Sequence, residues 1–152
     1  MIRKIAAKKQ LKTDMETAWS FFSDPKNLAK ITPQELGFKI TSETPESIYA
    51  GLFIEYTVTP LFGIPVTWLT EITHCRKSSE QSYFVDEQRT GPYAIWHHEH
   101  RFTENEHGVL IEDTIHYKLP LSPLSEIIHP FVIKPKLDQT FQYRDKVIED
   151  FL

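Results

Sequence analysis

YAIWHHEHRF, residues 93–102, sets three histidines, a glutamate and an arginine among aromatic and aliphatic neighbours, and the fold turns on how that stretch is wound. On a strand, alternate residues share a face. Trp96, His98, His100 and Phe102 then fall on one side, and Ile95, His97, Glu99 and Arg101 on the other. The stretch that follows divides in the same way, with Val109, Ile111, Asp113, Ile115 and Tyr117 against Leu110, Glu112, Thr114, His116 and Lys118. Bringing both apolar sets to one face requires antiparallel pairs whose residue numbers sum to an odd value. That predicts Phe102 opposite Val109, His98 opposite Asp113 and Trp96 opposite Ile115, with Thr103 facing Gly108 across the turn ENEH. A slip of one residue, which sets His100 opposite Glu112, would expose the whole apolar set. His97, Glu99 and Arg101 are therefore expected in solvent. His98, His100 and Asp113 become polar groups on an inner, apolar face. A buried carboxylate and imidazole must pair or neutralise, so His98 and Asp113 are expected to be partners, the carboxylate fixing the imidazole tautomer and raising its basicity.

Working outward from this hairpin, period-two patterning continues over residues 36–43, 49–59, 66–76 and 81–89, each bounded by Pro, Gly, Ser or Asn clusters. With 93–103 and 108–119 these make six consecutive strands of an antiparallel meander. In one of them Leu52, Ile54, Tyr56 and Val58 share a face, and Phe53, Glu55, Thr57 and Thr59 the other, the signature of a sheet covered on one side. Residues 2–11 alternate weakly and read as an edge strand. Thr13 and Glu16 read as a capping box opening a helix with Met15, Ala18, Trp19 and Phe22 inward, and a second short helix is expected near Asn27–Ile31. At the other end Leu137, Phe141, Arg144, Ile148 and Phe151 follow helical spacing, so a long amphipathic helix ends the chain, with Pro130 and Pro135 breaking or kinking what precedes it. A curved seven-stranded sheet cannot bury its concave face against itself, so that helix must lie across it, leaving a cavity where the two diverge.

Composition narrows the function classes. The 152 residues suit a single domain, 1–152, and 40% hydrophobic with 25% charged residues is ordinary for a globular chain. A net charge of −4 with mixed signs offers no basic footprint for nucleic acid. No apolar run is long enough for a membrane span, and no secretory leader opens the chain, so a cytoplasmic protein is expected. Cys75 has no second thiol with which to form a disulfide or a CxxC pair.

The segments FVDEQRTGPYAIWHHEHRF (84–102), DTIHYKLP (113–120), WSFFSDPKNLAKITPQELGF (19–38) and IEYTVTPLFGIPVTW (54–68) resemble the SRPBCC superfamily, the START-like or birch-pollen-allergen-like helix-grip proteins, which include polyketide cyclase-like members. More narrowly, the chain is similar to a bacterial ligand-binding subgroup with the pattern F-x-D-x-Q-x-x-G-P-x-x-x-W-x-H-x-H-x-F. The resemblance implies an α+β helix-grip fold: a curved seven-stranded antiparallel sheet wrapped on a long C-terminal helix, with two short helices after the first strand. It also implies that Phe84, Asp86 and Gln88 point into the cavity beside Trp96, His98 and His100.

Three functions compete for such a cavity. As a binding protein, it would enclose a hydrophobic or aromatic small molecule, with Asp86, Gln88, His98, His100 and Asp113 orienting it and Tyr56, Trp68, Phe84, Trp96, Phe102 and Tyr117 forming walls. As a cyclase, dehydratase or hydrolase, it would use His98 and Asp113 for acid–base work, because the chain lacks a nucleophile elbow and a phosphate loop. A His98-x-His100 metal site with Asp86 or Asp113 ranks last, and no metal or cofactor is expected. The segment SPLSEIIHPFVIKPKL (122–137) reads equally as a lid or as a passive connector.

Overall fold

The structure is a computed structural model describing residues 1–121 and 123–152, with only the backbone described at Leu61. Strand β1 (Arg3–Leu11) leads into helix α1 (Met15–Ser23) and a 3-10 turn (Pro25–Ile31). The meander follows as β2 (Lys39–Ile40), β3 (Phe53–Leu61), β4 (Ile64–Arg76), β5 (Gln81–Thr90), β6 (Ile95–Asn105) and β7 (Gly108–Lys118). The chain then winds through α2 (Leu124–Ile128), a π turn (His129–Ile133) and α3 (Lys134–Val147). All seven strands form one antiparallel sheet in the order β1-β7-β6-β5-β4-β3-β2. Register shifts at Val58/Leu61 and in the β4–β5 pairing bend its far half, because each extra residue kinks its strand and deepens the twist.

The fold class is as the sequence indicates, and several local expectations are corrected. Asp14, not Thr13, caps α1, its carboxylate accepting from Thr17 N at 2.8 Å. The strand expected at 36–43 shrinks to two residues, since Gln34–Leu36 forms a 3-10 turn closed by Gly37. Pro130 does not break the helix: the backbone around it widens into the π turn and runs on into α3. Pro135 sits in the first turn of α3, where a proline is tolerated. Of the segment discussed as a lid or connector, Ser122 lies outside the described residues and 124–137 is helical.

The β6–β7 hairpin has the expected parity but not the expected offset. Phe102 faces Ile111, His100 faces Asp113, His98 faces Ile115 and Trp96 faces Tyr117. The turn contains only Glu106 and His107, because Asn105 pairs with Gly108 at φ +115. At Gly108 a Cβ would stand 2.1 Å from the Leu11 carbonyl oxygen, so the tight turn requires glycine. Patterning fixes which face a residue takes. It does not distinguish registers two residues apart, because those preserve every face.

One core cluster joins α1 to the sheet, where Trp19 meets Phe84 and Phe102 edge to face, and Leu11 of β1, Val109 of β7 and Ile148 of the last helical turn close it. A smaller cluster, Ile115, Tyr117 and Leu137, seats the start of α3 on β7. Between the two clusters sheet and helix part.

Candidate functional site

A cavity of about 230 Å³ opens there. Its walls come from Ile54, Tyr56, Val58, Trp68 and Ile72 of the curved sheet, and from Phe21, Phe22, Leu28 and Ile31 in α1 and the 3-10 turn after it. Leu137, Thr140, Phe141 and Arg144 supply the α3 side, and Asp86, His98 and His100 are its polar floor.

The floor follows from strand register. Asp86 on β5 faces His98 on β6, and His100 beside it faces Asp113 on β7, so two carboxylates and two imidazoles alternate across three strands. His98 Nε2 lies 2.8 Å from Asp113 Oδ1, and His100 Nε2 lies 2.9 Å from Asp86 Oδ2. His100 Nδ1 is also 2.8 Å from Asp113 Oδ1, an ion-pair contact too far from the ring's donor direction to count as a hydrogen bond. The two imidazoles pack with centroids 3.7 Å apart. Arg144 reaches down from α3 to within 3.6 Å of Asp113 Oδ2.

The electrostatics divide the two histidines. Burial disfavours charge on both. For His98 burial and the neighbouring His100 charge prevail, and its pKa falls below 6.5. For His100 burial is outweighed by Asp113 and Asp86, and its pKa rises above 6.5. Burial likewise pushes Asp113 and Asp86 up, but the imidazoles more than offset it, leaving Asp86 low and Asp113 well below the ordinary carboxylate value. The directions of these shifts favour ionised Asp86 and Asp113, a protonated His100 and a neutral His98, with the Arg144 guanidinium set against the Asp113 carboxylate. With Nε2–H donated to Asp113, the His98 Nδ1 keeps a lone pair, 3.6 Å from Asp86 Oδ2 and so beyond hydrogen-bond reach.

Of the residues singled out in the sequence, Tyr56, Trp68, Phe84, Asp86, Trp96, His98 and His100 line the cavity, and four do not. Gln88 is spent on the β5–β6 turn: its Nε2 donates to Tyr93 O at 2.6 Å, and its Oε1 accepts from Tyr93 N at 3.2 Å. Gly91 makes room for that clamp, since a Cβ there would meet the Gln88 side chain at 2.5 Å. Phe102 is fully buried against Trp19, Phe22 and Phe84. Asp113 lies behind the histidines. Tyr117 turns to His129 Nε2 at 2.7 Å and anchors the helix. Phe22 and Phe141, which read as core from their helical spacing, are cavity walls. Arg144 was legible only as one more position on the apolar stripe of the helix, and it takes part in the charge balance. Its presence among Leu137, Phe141 and Ile148 was the available signal.

Asp86, His98 and His100 have donor atoms within 4.8 Å of one another and, among the described residues, are the group able to ligate a metal ion. As arranged, the Asp86 and His100 atoms bond each other, and Arg144 adds positive charge nearby. Three buried donors around the cavity lack a hydrogen-bond partner among the described residues, Trp68 Nε1 and Arg144 Nε and Nη1, the last of which has only its 3.6 Å ion-pair contact with Asp113.

No family model matches the chain, and no curated protein matches it. Solved structures do. The protein TTHA0849 from Thermus thermophilus is 12% identical with a TM-score of 0.70, over 97% of this chain and 95% of that one. Norcoclaurine synthase from Thalictrum flavum, solved with dopamine and hydroxybenzaldehyde, is 12% identical with a TM-score of 0.64, over 100% and 89%. Ara h 8.0201 is 11% identical with a TM-score of 0.58, over 97% and 98%. The chain has the helix-grip fold these proteins share, and at such identities the likeness extends to the fold alone.

Proposed function

We propose that the protein binds an apolar, one- or two-ring small molecule between sheet and α3, with the Asp86–His98–His100 floor orienting a polar substituent. The observation that carries this reading is the cavity itself: about 230 Å³, walled mainly by aromatic and aliphatic side chains, with Asp86, His98 and His100 together on its sheet floor and Arg144 facing them from α3. A dry apolar cavity of roughly 150 Å³ is enough to take up benzene, so this one suits a modestly larger guest. The unpartnered donors of Trp68 and Arg144 favour a ligand carrying a hydrogen-bond acceptor, since each buried donor left unpaired costs about 1–3 kcal/mol.

A second reading is acid–base catalysis on the bound molecule. It draws on His98, whose neutral imidazole offers Nδ1 as a base while Asp113 fixes the tautomer. His98→Ala separates the two. Native mass spectrometry of protein purified from its own host should show the co-purifying small molecule held about tenfold more weakly by the variant if the site only binds. Retained binding with turnover reduced about a hundredfold or more would assign catalysis instead. Wild-type protein that retains no small molecule and takes up none from a panel of substituted phenols would contradict both.

A further inference from the structure

The exposed apolar side chains are distributed very unevenly. Because neighbouring strands alternate in direction, the start of β1, the β3–β4 turn, the β5–β6 turn and the exit of β7 all lie at one end of the sheet. Among the described residues, ten of the thirteen exposed large hydrophobic side chains sit at that end or on the helical segment leaving it; only Tyr49, Phe53 and Phe151 lie elsewhere. Phe62 at the tip of the β3–β4 turn is 87% exposed, Phe131 78%, Ile127 65% and Leu124 63%.

The outward setting of the helical residues is fixed by what the same segment buries. His129 bonds Tyr117, Ser125 is buried, and Glu126 is tied to Arg3 and to the nitrogen of Met1. These contacts set the rotation of α2 and the π turn, so Leu124, Ile127 and Phe131 cannot turn inward without breaking them. Exposed apolar side chains concentrated at one end of a molecule in this way mark an interaction surface.

Charge selects the partner. Residues 1–4 and 118–137 contain Arg3, Lys4, Lys118, Lys134 and Lys136 but only one acid, Glu126, in a chain whose 21 acidic residues outnumber its 17 basic ones. Asp138, next along α3, pairs with Lys134 and leaves the excess of cations in place. An apolar tip ringed by lysines on an otherwise acidic protein is complementary to an anionic bilayer surface, which takes up the apolar side chains and attracts the cations around them. No helix among the described residues is long and apolar enough to cross a membrane, so the association is peripheral.

We infer that this end of the molecule docks on anionic lipid, inserting Phe62, Leu124, Ile127 and Phe131 while Lys118 and Lys134 lie against the headgroups. Pro60 and Lys136, both part of the cavity lining, border the docking surface, so a docked molecule holds its cavity next to the bilayer. The inference stands whether or not the proposed ligand reading holds.

Flotation with phosphatidylcholine vesicles containing about 30 mol% phosphatidylglycerol tests it, with pure phosphatidylcholine vesicles as the comparison. The full chain should float with the mixed vesicles, and bind about tenfold or more weakly to the pure ones or in about 0.5 M salt. The double variant Ile127→Ser/Phe131→Ser should lose about a hundredfold in binding to the mixed vesicles while keeping the wild-type melting temperature, because both side chains are exposed. Lys118→Gln/Lys134→Gln should weaken binding and reduce its salt dependence. The inference is overturned by no binding to mixed vesicles, or by equal binding to both kinds. It is equally overturned by a concentration-dependent dimer that Ile127→Ser/Phe131→Ser abolishes without any vesicle binding, which would assign the surface to a second copy.

Discussion

The two faces of β6 carry nearly the same residue types and do opposite things. Outward, His97 accompanies Glu99 and Arg101; inward, His98 and His100 accompany Asp86 and Asp113. On the outer face His97 meets Glu87 at 2.7 Å and Arg101 meets Glu99, with side chains a third or so exposed. On the inner face similar contact distances join side chains that are nearly nine-tenths buried or more, apart from Asp86 at 16% exposure, and all four groups shift in pKa. Distance is the same and solvent is not. Water screens the outer pairs to near neutrality in energy, whereas the inner charges have only one another and Arg144.

The contrast is broken most severely by removing one inner charge. Asp113→Ala leaves a buried imidazolium and a guanidinium without their shared carboxylate, and should destabilise the fold by about 3–5 kcal/mol in urea unfolding. A loss below about 1 kcal/mol would mean that the inner cluster is as well solvated as the outer face.

pH should act through the inner face, and the signs follow from the directions of the shifts. His100 titrates above 6.5, so the stability it contributes is complete below that value and is lost as pH rises through its folded pKa. His98 titrates below 6.5, so its contribution is lost as pH falls from 6.5 toward its folded value. Asp86 and Asp113 titrate below 3.8, and the stability they give, complete above that value, is lost as pH falls through their folded pKa values. His100→Asn should therefore flatten the alkaline decline in melting temperature and also weaken the acid limb, because His100 is the group that most depresses Asp113. Resonance titration of the imidazoles should find His98 and His100 on opposite sides of 6.5.

The smallest effect belongs to the outer face. Glu99→Ala removes the Arg101 contact and should change stability by less than about 0.5 kcal/mol, measured as in the Asp113 variant.

This division into faces was legible in the sequence because a strand has period two, and a row of Trp96, His98, His100 and Phe102 can be assigned without knowing what it touches. The partner assignment was less legible. His98 was expected opposite Asp113 and stands opposite Ile115; the bond to Asp113 survives on the diagonal, while His100 takes the facing position. What decided the offset was the Glu106–His107 turn and the steric demand at Gly108, set by the edge strand β1 rather than by the hairpin. Gln88 shows another limit. Its position on the inward-facing set is compatible with ligand contact, but whether a flexible amide reaches into a cavity or back to a turn depends on where Gly91 lets the chain pass. Arg144 and the walls from α1 and the 3-10 turn come from elements far apart in sequence, and no local pattern relates them to β6.

On the proposed function, an apolar guest occupies the space beneath α3 and is oriented by the inner face. Calorimetric titration with 2-naphthol, whose two rings suit the cavity and whose hydroxyl can reach its polar floor, tests it most directly when wild-type protein is compared with Thr140→Trp, which fills the cavity from a half-exposed position on α3. Saturable one-to-one binding by the wild type, and its loss in a variant that remains folded, are the expected results. Binding that persists undiminished with the cavity filled, or no saturable uptake by the wild type, would contradict it.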